Sequence, residues 1–209
     1  MSKFFFIERK SKKINSPLII LIHGYGSNER DLFSLIDYFP SDAYVISLRA
    51  PKELFNDSYA WYDIYIDGNN KFYDHKRAAL IRDELSHFID DISKNPNIDA
   101  HNITLIGFSQ GAIISHAISF SYPEKIKNIM ALSGVIDEKI MKKTNLVQKT
   151  NIYVSHGTND NVIDYEMSKE SLSFYTKNNI DFQFESYNQG HGINQENLES
   201  MIKWLKGNV

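Results

Sequence analysis

The chain has 209 residues, 42% hydrophobic and 23% charged, with a formal net charge of −3 and no cysteine. That length suits one well-buried domain over residues 1–209 and is short for two. The small net charge gives no electrostatic reason to expect nucleic acid as a partner, and the lack of cysteine excludes disulfides, thiolate metal sites and a cysteine nucleophile.

The opening MSKFFFIERKSKK carries only four consecutive apolar residues before Glu8 and Arg9. A signal peptide's apolar core needs roughly 7–15 and a membrane span about 20, so a cytoplasmic location without a membrane span is the expectation. Beyond this point short apolar runs alternate with segments of helical period, the pattern of a mostly parallel sheet flanked by helices. In chain order the spacing predicts strands over Phe4–Ile7, Leu18–Ile22 and Tyr44–Leu48, with Leu32, Leu35, Ile36 and Phe39 marking a helical face between the last two. Pro51–Asp74 has no clear period and reads as a long loop carrying short elements, a kind of segment that tends to be functional. Ala78, Ile81, Leu85, Phe88, Ile89 and Ile92 mark a second helix. Strands over Ile103–Ile106, Ile126–Leu132, Ile152–Ser155 and Phe182–Tyr187 follow, and Leu198, Met201, Ile202 and Leu205 mark a closing helix. There is no internal repeat and no low-complexity tract.

In an open sheet of this kind, active groups gather on the loops that leave the carboxyl ends of strands. Four such loops combine glycine with polar or ionisable residues: HGYGSNE (His23–Glu29), GFSQG (Gly107–Gly111), HGTNDN (His156–Asn161) and NQGHGI (Asn188–Ile193). Two glycines bracketing Ser109 between a strand and a helix suit a turn sharp enough to expose a serine hydroxyl. A serine is a poor nucleophile near neutrality, so it needs a base within hydrogen-bond reach and a carboxylate to hold that base.

Seven histidines compete for the role of base. His116 lies seven residues past Ser109 on the expected helix, about 10 Å along its axis and too far to take the proton. His75, His87 and His101 fall on or near helix surfaces, and His23 and His156 sit at strand exits where they can shape a turn. His191 follows the last strand between Gly190 and Gly192 and is the candidate base. For the acid, Asp160 lies nearest its strand end. Asp164 precedes YEMSKESLSFY and can cap that helix, and Asp137 is the other candidate. The oxyanion of acyl transfer calls for backbone donors, and the amides of Gln110 and Tyr25 are placed to supply them.

With these residues in hand the chain resembles the phospholipase/carboxylesterase family of α/β-hydrolases, which includes small bacterial carboxylesterases and acyl-protein thioesterases. LIHGYGSNERDL, SLRAP, GFSQGA, HGTND and GHGI occur in the family's order and spacing over nearly the whole chain. Asn161 stands where many members have proline, and Ala112 where a further glycine is common.

The resemblance implies an α/β-hydrolase fold with about seven strands, a Ser109, Asp160 and His191 triad, an oxyanion hole from Tyr25 and Gln110, and no cofactor. It also implies that the loop after RAP covers the acyl site. That loop holds Trp61, Tyr62, Tyr65, Phe72 and Tyr73 beside a turn at Asp67, Gly68, Asn69 and Asn70. These rings either wall an acyl pocket, with Trp61, Tyr62 and Tyr25 as substrate contacts, or pack on the sheet edge.

The expected activity is hydrolysis of carboxylic esters with short or medium acyl chains through an acyl-enzyme. An acyl-protein thioesterase or lysophospholipase is one alternative, and a non-catalytic hydrolase-fold binding protein is another. The expected partner is a small-molecule ester or thioester, and the resemblance is compatible with a homodimer.

Overall fold

The apolar runs form strands because they are short, rich in β-branched residues and apolar at successive positions, which lets both faces be buried. The computed structural model describes residues 4–67 and 70–209. Its strands are β1 (Phe6–Arg9), β2 (Ser16–Ile22), β3 (Tyr44–Leu48), β4 (Lys52–Phe55), β5 (Ser58–Ala60), β6 (Ile64–Asp67), β7 (Asn70–Tyr73), β8 (Ile98–Phe108), β9 (Asn128–Leu132), β10 (Asn151–Gly157) and β11 (Gln183–Tyr187). Its helices are α1 (Arg30–Phe33), α2 (His75–Ile92), α3 (Gln110–Ser121), α4 (Tyr165–Ser171), α5 (Ser173–Lys177) and α6 (Gln195–Asn208).

Seven strands form one sheet in the order β1-β3-β2-β8-β9-β10-β11. β1 runs antiparallel to β3, and every other pair is parallel. Side chains alternate across the sheet as the pleat requires. Leu18, Ile20 and Ile22 of β2 join one apolar cluster with α2 and α3, whereas Ile19 and Leu21 join a second with α6. α3 is buried along its whole length, and α2 packs against it.

From β2 the chain steps outward to β3 on one side, and from β8 it steps outward through β9, β10 and β11 on the other. The connections leaving β2 and β8 therefore diverge, the kind of switch point at which open parallel sheets place their ligands.

Three expectations need adjustment. The helix read over 32–39 is the single turn α1 and a 3-10 turn at Ile36–Tyr38, since Pro40 ends helical geometry and the chain must enter β3. The strand expected at Phe4–Ile7 is displaced to Phe6–Arg9. The long loop Pro51–Asp74 holds two antiparallel hairpins, β4-β5 and β6-β7. Of the turn expected at its tip, Gly68 and Asn69 lie outside the described residues. Among the described residues no helix is long and apolar enough to cross a membrane.

Candidate active site

Ser109 sits between the end of β8 and the first turn of α3 with φ 53° and ψ −114°, a left-handed conformation that side chains rarely adopt. Its neighbours explain how the turn closes. A Cβ on Gly107 would lie 2.3 Å from the Gly111 carbonyl oxygen, and one on Gly111 would lie 1.9 Å from that of Ile22. Both glycines are therefore needed for close approach, the second to let α3 lie directly on β2. The Ser109 amide donates to the Leu132 carbonyl at 2.8 Å, and the Ser109 carbonyl accepts from Ala112 and Ile113, so the strained residue is held on both sides.

The Ser109 hydroxyl oxygen is 2.9 Å from His191 Nε2, and His191 Nδ1 is 2.7 Å from Asp160 Oδ2. The carboxylate cannot donate, so His191 Nδ1 carries the proton and Nε2 is free to accept from serine. The other carboxylate oxygen accepts from the amides of Val162 and Ile163 at 2.8 and 3.0 Å. Burial alone would raise the Asp160 pKa, but the hydrogen bonds from His191 and the two amides outweigh it and hold the carboxyl below the usual range. Phe108, adjacent to the serine, places its ring 5.0 Å from the His191 ring. Gly157 allows the loops to meet, since a Cβ there would lie 2.3 Å from the Gly190 carbonyl oxygen.

The turn after β2 reaches the same point. A Cβ on Gly24 would stand 3.2 Å from the Ser109 Cβ. As the first residue of α3, Gln110 has an amide the helix cannot use. The Tyr25 amide likewise donates to no backbone carbonyl among the described residues.

Three sets of contacts that the sequence did not disclose hold this turn. His23 donates from Nδ1 to the Gly24 carbonyl at 2.7 Å and accepts from the Ala50 amide at Nε2, and burial lowers its pKa, so it is a neutral structural ring. Glu29, 1% exposed, pairs in bidentate fashion with Arg49 at 2.6 and 2.7 Å. The β4-β5 hairpin is laced to the turn by bonds from the Gly26 amide to the Tyr59 carbonyl and from the Tyr59 amide to the Ser27 carbonyl. The motif spacing signalled Arg49 and Glu29 as residues but gave no sign that they touch.

Trp61 and Tyr62 correct an expectation. They are 0% and 2% exposed and offer no surface to a ligand. The Trp61 amide donates to the Gln110 side-chain oxygen, its indole donates to the His23 carbonyl, and Gln110 donates in turn to the Tyr62 carbonyl, all at 2.9 Å. These two aromatics brace the core behind the serine because the hairpins fold the segment inward. Tyr25 is 42% exposed, and Tyr65 and Phe72 are also on the surface.

The competing candidates are engaged elsewhere. Asp164 accepts from the Met167 amide at 3.0 Å as the cap of α4. Asp137 pairs with His75 at 3.1 Å. His116, fully buried in α3, shares a 2.6 Å hydrogen bond with the Tyr175 hydroxyl. Among the described residues no group of three or more acidic or histidine side chains is arranged to hold a metal ion.

A family model described as Phospholipase/Carboxylesterase matches residues 3–209. The chain belongs to this family. Acyl-protein thioesterase 1 of Candida albicans is 30% identical over 212 residues, covering 91% of each chain. Among solved structures, esterase PE8 superposes with a TM-score of 0.87 at 25% identity, covering 99% of this chain and 100% of the other. A carboxylesterase from Bacillus cereus gives a TM-score of 0.85 at 24% identity, covering 100% and 96%. The family's α/β-hydrolase fold accounts for the central sheet of seven strands and its flanking helices.

Proposed function

We propose that this member of the phospholipase/carboxylesterase family hydrolyses carboxylic esters through an acyl-enzyme on Ser109. The observation that carries the reading is the unbroken hydrogen-bonded relay from the Ser109 hydroxyl through His191 to Asp160, set on a strained turn. Ser109 Oγ attacks the carbonyl carbon while His191 Nε2 takes its proton. As the bond to the leaving group breaks, His191 returns that proton to the departing oxygen. Water, deprotonated by the same nitrogen, then attacks the acyl-enzyme, and Ser109 recovers its proton as the acid leaves. Asp160 orients His191 and stabilises its charged form. The amides of Tyr25 and Gln110 receive the oxyanion, each contributing about 3–4 kcal/mol. The proposal extends to the Tyr25 ring as a substrate contact, supported by its exposure on the same turn.

A fluorophosphonate probe should label the wild-type protein at Ser109, and Ser109→Ala should lose both labelling and ester turnover with an unchanged fold. A labelled or active Ser109→Ala variant, or an unlabelled wild type, would reject the assignment; the latter is what a binding protein on a hydrolase fold would give.

A thioesterase is the second reading, favoured by the likeness to the Candida albicans protein over nearly its full length. Matched oxyester and thioester substrates with the same acyl group separate the two. Short or medium acyl chains remain our proposal for the acyl group, because only one segment of about 24 residues is available to cover the site.

A further inference from the structure

Behind the acid of the proposed triad lies a second imidazole that the mechanism above does not use. β10 delivers His156 four residues before Asp160, with its side chain fully buried. His156 Nε2 is 2.9 Å from the Ile163 carbonyl and 3.2 Å from Asp160 Oδ2, the same carboxylate oxygen that accepts from His191. Both neighbours of Nε2 are acceptors, so the proton must sit there. His156 Nδ1 is buried with no hydrogen-bond partner among the described residues, which agrees with a bare lone pair on that nitrogen. Ile163 is thus gripped at both ends: its amide donates to Asp160 Oδ1 and its carbonyl accepts from His156.

The geometry points to His156 as a positioning residue that fixes the Asp160 carboxylate through Ile163, whose carbonyl takes the Nε2–H and whose amide holds Asp160 Oδ1, so that the other oxygen faces His191. This inference rests on the triad reading. A neutral ring is required for it, since a charged imidazolium would compete with His191 for the same oxygen at the moment His191 takes the serine proton. The surroundings favour the neutral form: burial lowers the His156 pKa, although Asp160 and, less directly, Asp164 favour its charge. The other ionisable groups facing it are His191, across Asp160, and Tyr165, whose ring centre lies 6.3 Å from its own.

Two variants separate positioning from packing. Glutamine can place an N–H where Nε2 stands, whereas asparagine reaches only as far as Nδ1. His156→Gln should turn over substrate close to the wild-type rate. His156→Asn should lose about ten- to a hundredfold in kcat, the scale of a misplaced catalytic group, with KM nearly unchanged. Its kcat/KM profile should also move its acid limb to higher pH, because a carboxylate whose bond from the Ile163 amide slackens attracts the proton of His191 more strongly. Asp160→Asn, assayed alongside, tests the underlying reading.

An active Asp160→Asn overturns both proposals. An inactive Asp160→Asn beside a His156→Asn of wild-type kcat and pH profile overturns only the inference about His156. Equal losses in the Gln and Asn variants with an unmoved acid limb would assign His156 to packing and overturn it as well. Should the asparagine variant fail to fold, ¹⁵N NMR of the wild-type imidazole near pH 7 decides: the neutral Nε2–H tautomer is expected, and the Nδ1–H tautomer overturns the proposal.

Discussion

Asp160 and Asp164 lie four residues apart in one loop, yet their partners give them different work. Asp160 accepts from His191 and two amides at the foot of the relay, whereas Asp164 accepts from the first turn of α4. Asp160→Asn should therefore lower kcat by about 10⁴, the scale on which an orienting carboxylate acts. Asp164→Ala should keep kcat and lose about 1 kcal/mol of unfolding free energy as a lost cap. Steady-state kinetics and urea titrations on both proteins check this, and the opposite pattern would exchange their roles.

The difference between the two positions was legible in the sequence, because Asp160 lies nearer its strand end whereas Asp164 directly precedes the helical run it caps. Trp61 was not. An aromatic cluster reads alike whether it lines a pocket or fills a core, and what decides is the path of the backbone through two hairpins whose pairing no local period announces.

At the scale of elements, the turn after β2 is held by its neighbours more than by its own sequence. Arg49, at the end of β3, pairs with the buried Glu29 while its guanidinium lies 4.3 Å from the Phe5 ring centre and 4.6 Å from that of Tyr59. One side chain thus joins the N-terminal segment, β3, the β4-β5 hairpin and the turn carrying the Tyr25 amide. Arg49→Ala would strand the Glu29 carboxylate in a buried site. The expected cost is about 3 kcal/mol, the low end for a broken buried pair because Arg49 keeps some solvent contact. A drop in kcat larger than the rise in KM should accompany it, as the proposed oxyanion donors drift. A variant as stable and active as the wild type would show the ion pair to be incidental.

The strands of the parallel sheet were largely readable because burial on both faces leaves near-continuous apolar runs such as Leu18–Ile22. β8 was read short. Its first half, Asp99–Asn102, is mostly polar and partly exposed where the pairing with β2 shifts register, so no apolar pattern marks it.

Over the whole molecule, three histidines are buried in places that favour the neutral ring: His23 beneath the turn after β2, His116 within α3 and His156 behind Asp160. Burial lowers the pKa of each, and for His116 the value falls to about 3. The unfolded chain takes up these protons near pH 6.5, while the folded chain refuses them until a lower pH. Their contribution to stability is therefore fully present above about pH 6.5 and is lost as the pH falls below it, at about 1.4 kcal/mol per pH unit for each histidine still neutral in the fold. Carboxylates with lowered pKa, such as Glu29 and Asp160, add their share only below about pH 4.5. Between pH 6.5 and 5 the histidines should dominate the loss.

His116→Asn isolates one of them, since the amide can keep a hydrogen bond to the Tyr175 hydroxyl. At pH 7.5 this variant should be the less stable protein, having lost ring packing against Tyr175. Its deficit should shrink by about 1.4 kcal/mol per pH unit as the pH is lowered from 6.5 to 5. Urea midpoints of the two proteins across that range give the answer, and parallel stability curves would mean that His116 already carries its proton in the folded chain.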